Sequence, residues 1–211
     1  MTGFRAVAWD IDGTLADSEP LHQRALQKTC AALGVDLSDL ADDAFRGVHM
    51  HDVWEALKPR FPQSVSRDAW LAAVERYYVE HASEVTPSRD AIEVVCALAE
   101  RGVAQVCVSN SARAIVDANL DALGIRDCLE FSMSFDDVTS GKPDPEPFRE
   151  AARRLALQPH SVVAVEDSAA GALSARRAGL YVVNYAPDGP AVEDYDRRIV
   201  GLAEILALFG G

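Results

Sequence analysis

The stretch Val7-Ala8-Trp9-Asp10-Ile11-Asp12-Gly13-Thr14 decides how this chain folds. Residues 4–9 are apolar apart from Arg5 and carry valine and aromatic side chains, the composition of a short buried strand. Asp10 and Asp12 follow two residues apart, then Gly13. A strand ending in two carboxylates and a glycine delivers them to its carboxyl end, which in open α/β sheets is where ligands bind. Carboxylates this close repel one another unless a cation, a shared proton or a set of donors stands between them. A solvated turn is the competing reading, because aspartate and glycine are ordinary turn residues.

Downstream, strand and helix patterns alternate. Residues 90–101 read as an amphipathic helix ended by Gly102, and residues 103–108 as a second buried strand stopping at Ser109-Asn110-Ser111. A helix over 114–123 and a third strand over 129–135 follow. Lys142-Pro143-Asp144-Pro145-Glu146-Pro147 then opens another helix. A fourth strand over 161–165 ends at Glu166-Asp167, a small-residue helix covers 168–178, a fifth strand 180–183, and a last apolar helix 199–209. This alternation predicts an α/β fold, a parallel sheet with right-handed crossovers and helices on both faces. In such a sheet Asp10, Asp12, Ser109, Asn110, Lys142, Glu166 and Asp167 converge on one edge. Scattered surface turns would not place acids, a hydroxyl and a lysine so regularly, and the solvated-turn reading loses.

Between the first strand and residue 84 the pattern is helical. Asp17-Ser18-Glu19 before Pro20 is a helix start, with Gly34 as the stop. Val53, Trp54 and Leu57 share one face, as do Trp70, Leu71, Val74, Tyr77 and Tyr78, and Pro59 and Pro62 separate the two. This block reads as a small inserted domain with the aromatic residues as its core.

A chain of 211 residues accommodates one large domain, or one domain and a smaller one. Its net charge of −13 disfavours nucleic acid and anionic membranes as partners, and an anionic substrate then needs a local positive site. Cys30, Cys96, Cys107 and Cys128 form no CxxC pair, so spacing suggests neither a zinc site nor a redox motif. Neither a basic leader nor an apolar run of about 18 residues is present, and a cytoplasmic protein is expected.

The converging groups suit phosphoryl transfer. Asp10, Glu166 and Asp167 offer hard oxygens for Mg²⁺, which takes few carboxylates and leaves room for phosphate oxygens. Lys142 is a compact cation for a phosphate. Ser109 and Asn110 at a strand end supply a hydroxyl and backbone N–H groups for an anion. There is no glycine loop of the kind that holds a nucleoside triphosphate. A carboxylate can itself be the nucleophile, forming an aspartyl-phosphate.

In order along the chain, Asp10-x-Asp12-Gly13-Thr14, Ser109-Asn110, Lys142 and Glu166-Asp167 resemble the four motifs of the haloacid dehalogenase-like phosphatase superfamily. The β-phosphoglucomutase-like branch is the most similar, through Asp17-Ser18-Glu19-Pro20-Leu21-His22, Gly141-Lys142-Pro143-Asp144-Pro145 and Glu166-Asp167-Ser168-x-x-Gly171. The resemblance implies a Rossmann-like core over 1–15 and 85–211 and a helical cap over 16–84. It implies Asp10 as nucleophile, Asp12 as general acid/base, and Mg²⁺ on Asp10, the Asp12 backbone carbonyl, and Glu166 or Asp167. On the cap it implies His22, Gly47 and Met50 as positions near the substrate. Mutases of that branch carry arginine where Met50 stands, and a lysine after the second motif where this chain has Ser111-Ala112-Arg113. The expected activity is therefore a Mg²⁺-dependent phosphatase acting on a small phosphorylated metabolite, a sugar or sugar-acid phosphate. A β-phosphoglucomutase-type sugar phosphomutase is the alternative. A monomer or weak homodimer is expected, with no nucleic-acid or membrane partner.

Overall fold

The structure is a computed structural model and describes residues 3–41, 44–45, 48, 50–187, 189 and 192–210. In chain order the elements are β1 (Ala6–Trp9), β2 (Ala16–Asp17), α1 (Glu19–Ala32), α2 (Met50–Leu57), α3 (Arg67–His81), β3 (Thr86–Pro87), α4 (Ala91–Glu100), β4 (Ala104–Val108), α5 (Arg113–Leu123), β5 (Phe131–Met133), α6 (Glu146–Arg154), β6 (Val162–Glu166), α7 (Ala169–Ala178), β7 (Tyr181–Tyr185) and β8 (Arg197–Ile199). They form two compact units, Met1–Asp17 with Thr86–Gly211, and Ser18–Val85.

The first unit is built on a six-stranded parallel sheet in the order β5-β4-β1-β6-β7-β8. The chain starts at the centre with β1, runs outward through β4 and β5, then crosses back to β6, β7 and β8. The direction reverses at β1, and a parallel sheet opens a crevice at such a switch, beyond the strands' carboxyl ends. Trp9 pairs in register with Cys107 on one side and Val165 on the other, so β1, β4 and β6 end side by side.

Both faces of the sheet are buried, which is why its central strands read as continuous apolar runs rather than as alternation. One face packs Ala6, Ala8, Val106, Val108, Val162, Ala164 and Val182 against Phe148, Ala151 and Ala152 of α6 and Ala172, Ala175 and Ala178 of α7. The alanines of α7 let that helix lie close to the strands. Each buried side chain of valine size or larger contributes about 1.5–3 kcal/mol of apolar burial.

The sheet departs from the sequence expectation at its last edge. The expected apolar helix over 199–209 begins later, as a 3₁₀ helix at Leu202–Phe209, and Ile199 instead closes β8 as a sixth strand. Arg197 and Arg198 mask this strand in the sequence, since charged residues are what an exposed edge strand tolerates. β5 is also shorter than expected. Ser134 leaves the strand to cap a 3₁₀ turn over Phe135–Asp137, with its amide and its hydroxyl each 2.8 Å from Asp137 Oδ2.

The second unit is helical. Ser66 caps α3 by accepting from the Ala69 amide at 3.2 Å, and Trp54 stacks on Phe61 and tilts against Trp70, with ring centroids 5.1 and 5.5 Å apart. Trp54, Trp70 and Tyr78 are buried, as expected for its core, whereas Tyr77 is half-buried and stacks on His81. The chain leaves the first unit through β2 and returns through β3, and these two short strands pair antiparallel.

Candidate active site

The turn after β1 aims both leading aspartates. The Asp10 amide donates to Val165 O at 3.0 Å and extends the ladder with β6 by one residue. Beyond it the amides of Leu15 and Ala16 fold back onto Ile11 O, and the Gly13 amide onto Ala16 O at 2.8 Å. Gly13 has φ +87°, and a Cβ there would strike the Asp167 carboxylate. Only glycine meets both conditions.

Lys142 organises the acids. Its Nζ donates to Asp10 Oδ1 at 2.6 Å, Glu166 Oε1 at 2.5 Å and Val108 O at 2.7 Å, which uses all three ammonium protons. The loop carrying it is clamped by Asn110, whose Oδ1 accepts from the Lys142 amide at 2.8 Å and whose Nδ2 donates to the Lys142 carbonyl at 3.0 Å. The Asn110 side chain thus fixes the lysine loop instead of standing free for a phosphate. Glu166 is fully buried, and its Oε2 accepts from Ser168 at 3.1 Å.

Charge in this cluster does not balance. Burial pushes Asp10 up to about 8, with Glu166 adding to the rise and Lys142 opposing it. Burial likewise raises Glu166, and raises Asp167 to about 7, with Asp10 next in effect. Burial alone would lower Lys142, but Asp10 and Glu166 outweigh it and hold the ammonium charged. Three carboxylates facing one ammonium call for a further positive charge or a proton.

Asp12 lies in a different setting. Its Oδ2 accepts from the hydroxyls of Ser109 at 3.1 Å and Ser111 at 2.9 Å, and its Oδ1 accepts from Asn119 Nδ2 at 3.2 Å. Three donors from β4's end and α5 therefore fix this carboxylate's orientation. Asn119 and Ser111 received no role from the sequence. The signal for Asn119 was present: it falls in the buried stripe of α5 with Ile115, Val116, Leu120 and Leu123, and a buried polar group there needs a partner.

The donor set fits a divalent cation. Carboxylate oxygens of Asp10, Glu166 and Asp167 lie within 4.8 Å of one another. Asp10 Oδ2 and Asp167 Oδ1 are buried without a hydrogen-bond partner, while Glu166 is committed to Lys142 and Ser168. Hard oxygens of this kind suit Mg²⁺. The Asp12 carboxylate stands outside this set, held by its three donors.

The remaining expected positions are less informative. His22 packs tilted against Tyr78 with centroids 4.4 Å apart, and Met50 begins α2. Gly47 lies outside the described residues. Arg113 ties α5 to β5 through Ser132 Oγ at 2.8 Å and Ser132 O at 3.1 Å, and to the turn after β5 through Asp137. Among the described residues no helix is long and apolar enough to cross a membrane.

Comparison with known proteins places the chain in a family. Residues 4–179 match the haloacid dehalogenase-like hydrolase family. The chain is 32% identical over 214 residues to phosphoglycolate phosphatase, plasmid, of Cupriavidus necator, covering 96% of this chain and 92% of that one. It is 29% identical to hexitol phosphatase B of Escherichia coli, with 96% and 94% covered. The crystal structure of CbbY from Rhodobacter sphaeroides in complex with phosphate superposes with a TM-score of 0.88 at 26% identity, covering 97% of this chain and 98% of that one. A family match over most of the chain, and relatives that span it almost end to end, make this chain a member of the haloacid dehalogenase-like hydrolases and an enzyme of their phosphatase type.

Proposed function

We propose that the chain is a Mg²⁺-dependent phosphatase of a small phosphorylated metabolite, a sugar or sugar-acid phosphate, working through a covalent phosphate on Asp10. The observation that carries this is the asymmetry of the Asp10 carboxylate: Oδ1 is held by Lys142, while Oδ2 is buried with no partner. Lys142 on one oxygen fixes the orientation of the whole carboxylate, which in-line attack on phosphorus requires, and leaves the buried second oxygen for a cation. Similarity to phosphatases named for phosphoglycolate and hexitol supports the substrate class.

Asp10 attacks phosphorus while Asp12 gives a proton to the departing oxygen. Asp12 then takes a proton from the water that hydrolyses the acyl phosphate. Ser109, Ser111 and Asn119 keep its carboxylate turned toward that work. Lys142 holds Asp10 in place and offsets negative charge on the transferring group. Asp10, Asp167 and the Asp12 backbone carbonyl would hold Mg²⁺, with Glu166 acting through Lys142. Bound there, the ion supplies charge stabilisation to the phosphoryl oxygens.

A panel of phosphorylated metabolites with Mg²⁺, run with the parent chain and Asp10→Asn, tests the proposal. We expect the variant to fold and to lose on the order of 10⁴-fold or more in turnover, the scale seen when a nucleophile is removed. Hydrolysis of a generic aryl phosphate by Asp10→Asn at the parent rate would refute the assignment.

A further inference from the structure

Cys96 and Cys128 are separated by 32 residues in sequence, yet their sulfurs lie 3.6 Å apart. Cys96 sits on α4, and Cys128 closes a 3₁₀ turn over Arg126–Cys128 that follows α5. Both are half-buried, whereas Cys30 and Cys107 are buried. The two thiols hydrogen-bond to each other, and neither hydrogen-bonds to the acidic cluster or the Asp12 donors. A disulfide bond is about 2.05 Å long, so closing the pair needs a relative shift of about 1.5 Å between two sulfurs already in contact.

We propose that Cys96 and Cys128 are a redox modification site that closes to an intramolecular disulfide when the protein meets a peroxide. One thiolate attacks a peroxide oxygen. The O–O bond of hydrogen peroxide breaks, the departing hydroxide takes up the proton the thiol released and leaves as water, and the sulfur becomes a sulfenic acid. The second thiol attacks that sulfur, the S–S bond forms, the S–O bond breaks and a second water carries off the remaining proton. In sum, two thiols and one peroxide give one disulfide and two waters, with both sulfurs oxidised and the peroxide reduced. Exchange with a low-molecular-weight thiol restores the pair. Burial, and next the bond to Cys96, hold the Cys128 thiol above its usual range, with Asp127 and Glu100 contributing in the same direction. The thiolate is the reactive form, so closure quickens as pH rises.

The pair is also linked by hydrogen bonds to the strand that leads into Asp10. Gln105 of β4 is buried, and its Nε2 donates to the carbonyl of Val95 at 2.9 Å and to that of Cys128 at 3.3 Å. Its Oε1 accepts from the Trp9 indole at 3.0 Å. The acceptors of one buried amide are thus Cys128 itself and the residue before Cys96, and its donor is the residue before Asp10. Disulfide closure moves both acceptors and draws on Trp9 through Gln105, which lowers turnover. The modification itself goes beyond the phosphatase reading and does not depend on it.

The test uses the full chain, reduced, freed of reductant and treated with graded hydrogen peroxide, then alkylated under denaturing conditions and digested without reduction. Cleavage at Arg89, Arg101 and Arg126 puts the two cysteines on separate tryptic peptides. We expect these peptides joined, two hydrogens lighter than their sum, and released by dithiothreitol. Turnover should fall severalfold with the same dose dependence. Cys96→Ser should keep basal turnover and lose both the joined peptides and the peroxide response. Separate oxidation of the two cysteines to sulfinic acid, or disulfides formed only between chains, would overturn the site. A joined pair with turnover unchanged would overturn the coupling through Gln105.

Discussion

Asn119 Nδ2 donates to Asp12 Oδ1 at 3.2 Å from a fully buried position on α5, making a residue outside every recognised motif a direct support of the proposed acid/base. A hydrogen bond to a charged group contributes about 1.5–3 kcal/mol. We expect Asn119→Ala to lower kcat by roughly 10- to 100-fold at nearly constant KM, because the lost bond orients Asp12 rather than the substrate. A rise in KM with kcat intact, in steady-state kinetics on any accepted substrate, would reject this role.

The contrast between Asn119 and Asp10 shows what the sequence carries. Asp10, Ser109 and Glu166 were legible because each ends an apolar run, and a run that stops at a charged or hydroxyl side chain marks a strand end. Asn119 is nine positions past the second motif, and its meaning lies in a partner 107 residues away that no local pattern reveals. The same holds for Cys96 and Cys128, which look like unrelated helical and loop thiols until α4 and the turn after α5 pack together. β8 was hidden for the opposite reason: Arg197 and Arg198 are edge-strand residues, and the apolar run from Ile199 onward outweighs them in any window. Strand and helix periods differ and prolines punctuate them, and on that ground the sequence separates α/β from helical stretches.

Lys142 is the counter-charge for two buried acids, and removing it should unfold before it merely slows. Its side chain is 4% exposed and that of Glu166 0%. Breaking a buried pair by deleting one partner costs about 3–5 kcal/mol. Lys142→Ala should therefore show a marked drop in Tm in the absence of Mg²⁺ along with loss of turnover. Adding Glu166→Gln should return part of the stability, since it removes one unpaired charge, without returning activity. If the double variant melts below the single one, the account of the cluster as an excess of negative charge is wrong.

The raised acids make a signed prediction for pH. Asp10 moves from 3.8 unfolded to about 8 folded, and Asp167 from 3.8 to about 7. Between those values the folded chain binds more protons than the unfolded one, so stability falls as pH rises through the interval. Glu150 shifts oppositely, from 4.5 to about 2, through Arg153 and Arg154, and its effect is complete once pH exceeds 4.5. Above about pH 5 the metal-free protein should thus lose Tm steadily toward pH 8. Mg²⁺ takes the place of the bound protons, so saturating Mg²⁺ should raise Tm most at the alkaline end and flatten the slope. Thermal melts across this range with a chelator and with Mg²⁺ decide the matter. A metal-free Tm that climbs from pH 5 to pH 8 contradicts the raised values.

Gly171 offers a case where helix propensity and packing point in opposite directions. It lies inside α7, where replacing glycine by alanine ordinarily gains about 0.8–1 kcal/mol. Here an added Cβ would overlap the Glu166 carboxylate. That carboxylate has nowhere to go: it is fully buried, with Lys142 on one oxygen and Ser168 on the other. Overpacking a filled site costs about 1–3 kcal/mol, and a displaced Glu166 adds part of the cost of a broken buried pair. The clash outweighs the propensity gain, so Gly171→Ala should lower Tm. Because Glu166 positions Lys142, which in turn holds Asp10 Oδ1, the same variant should lose turnover without touching substrate. Gly179 gives the control, as a Cβ there meets its nearest neighbour, Pro159, only at 3.6 Å and φ +85° supplies backbone strain alone. Gly179→Ala should therefore cost stability while leaving kcat near the parent value. Equal kcat losses in the two variants would mean that the Gly171 effect is general destabilisation rather than displacement of Glu166.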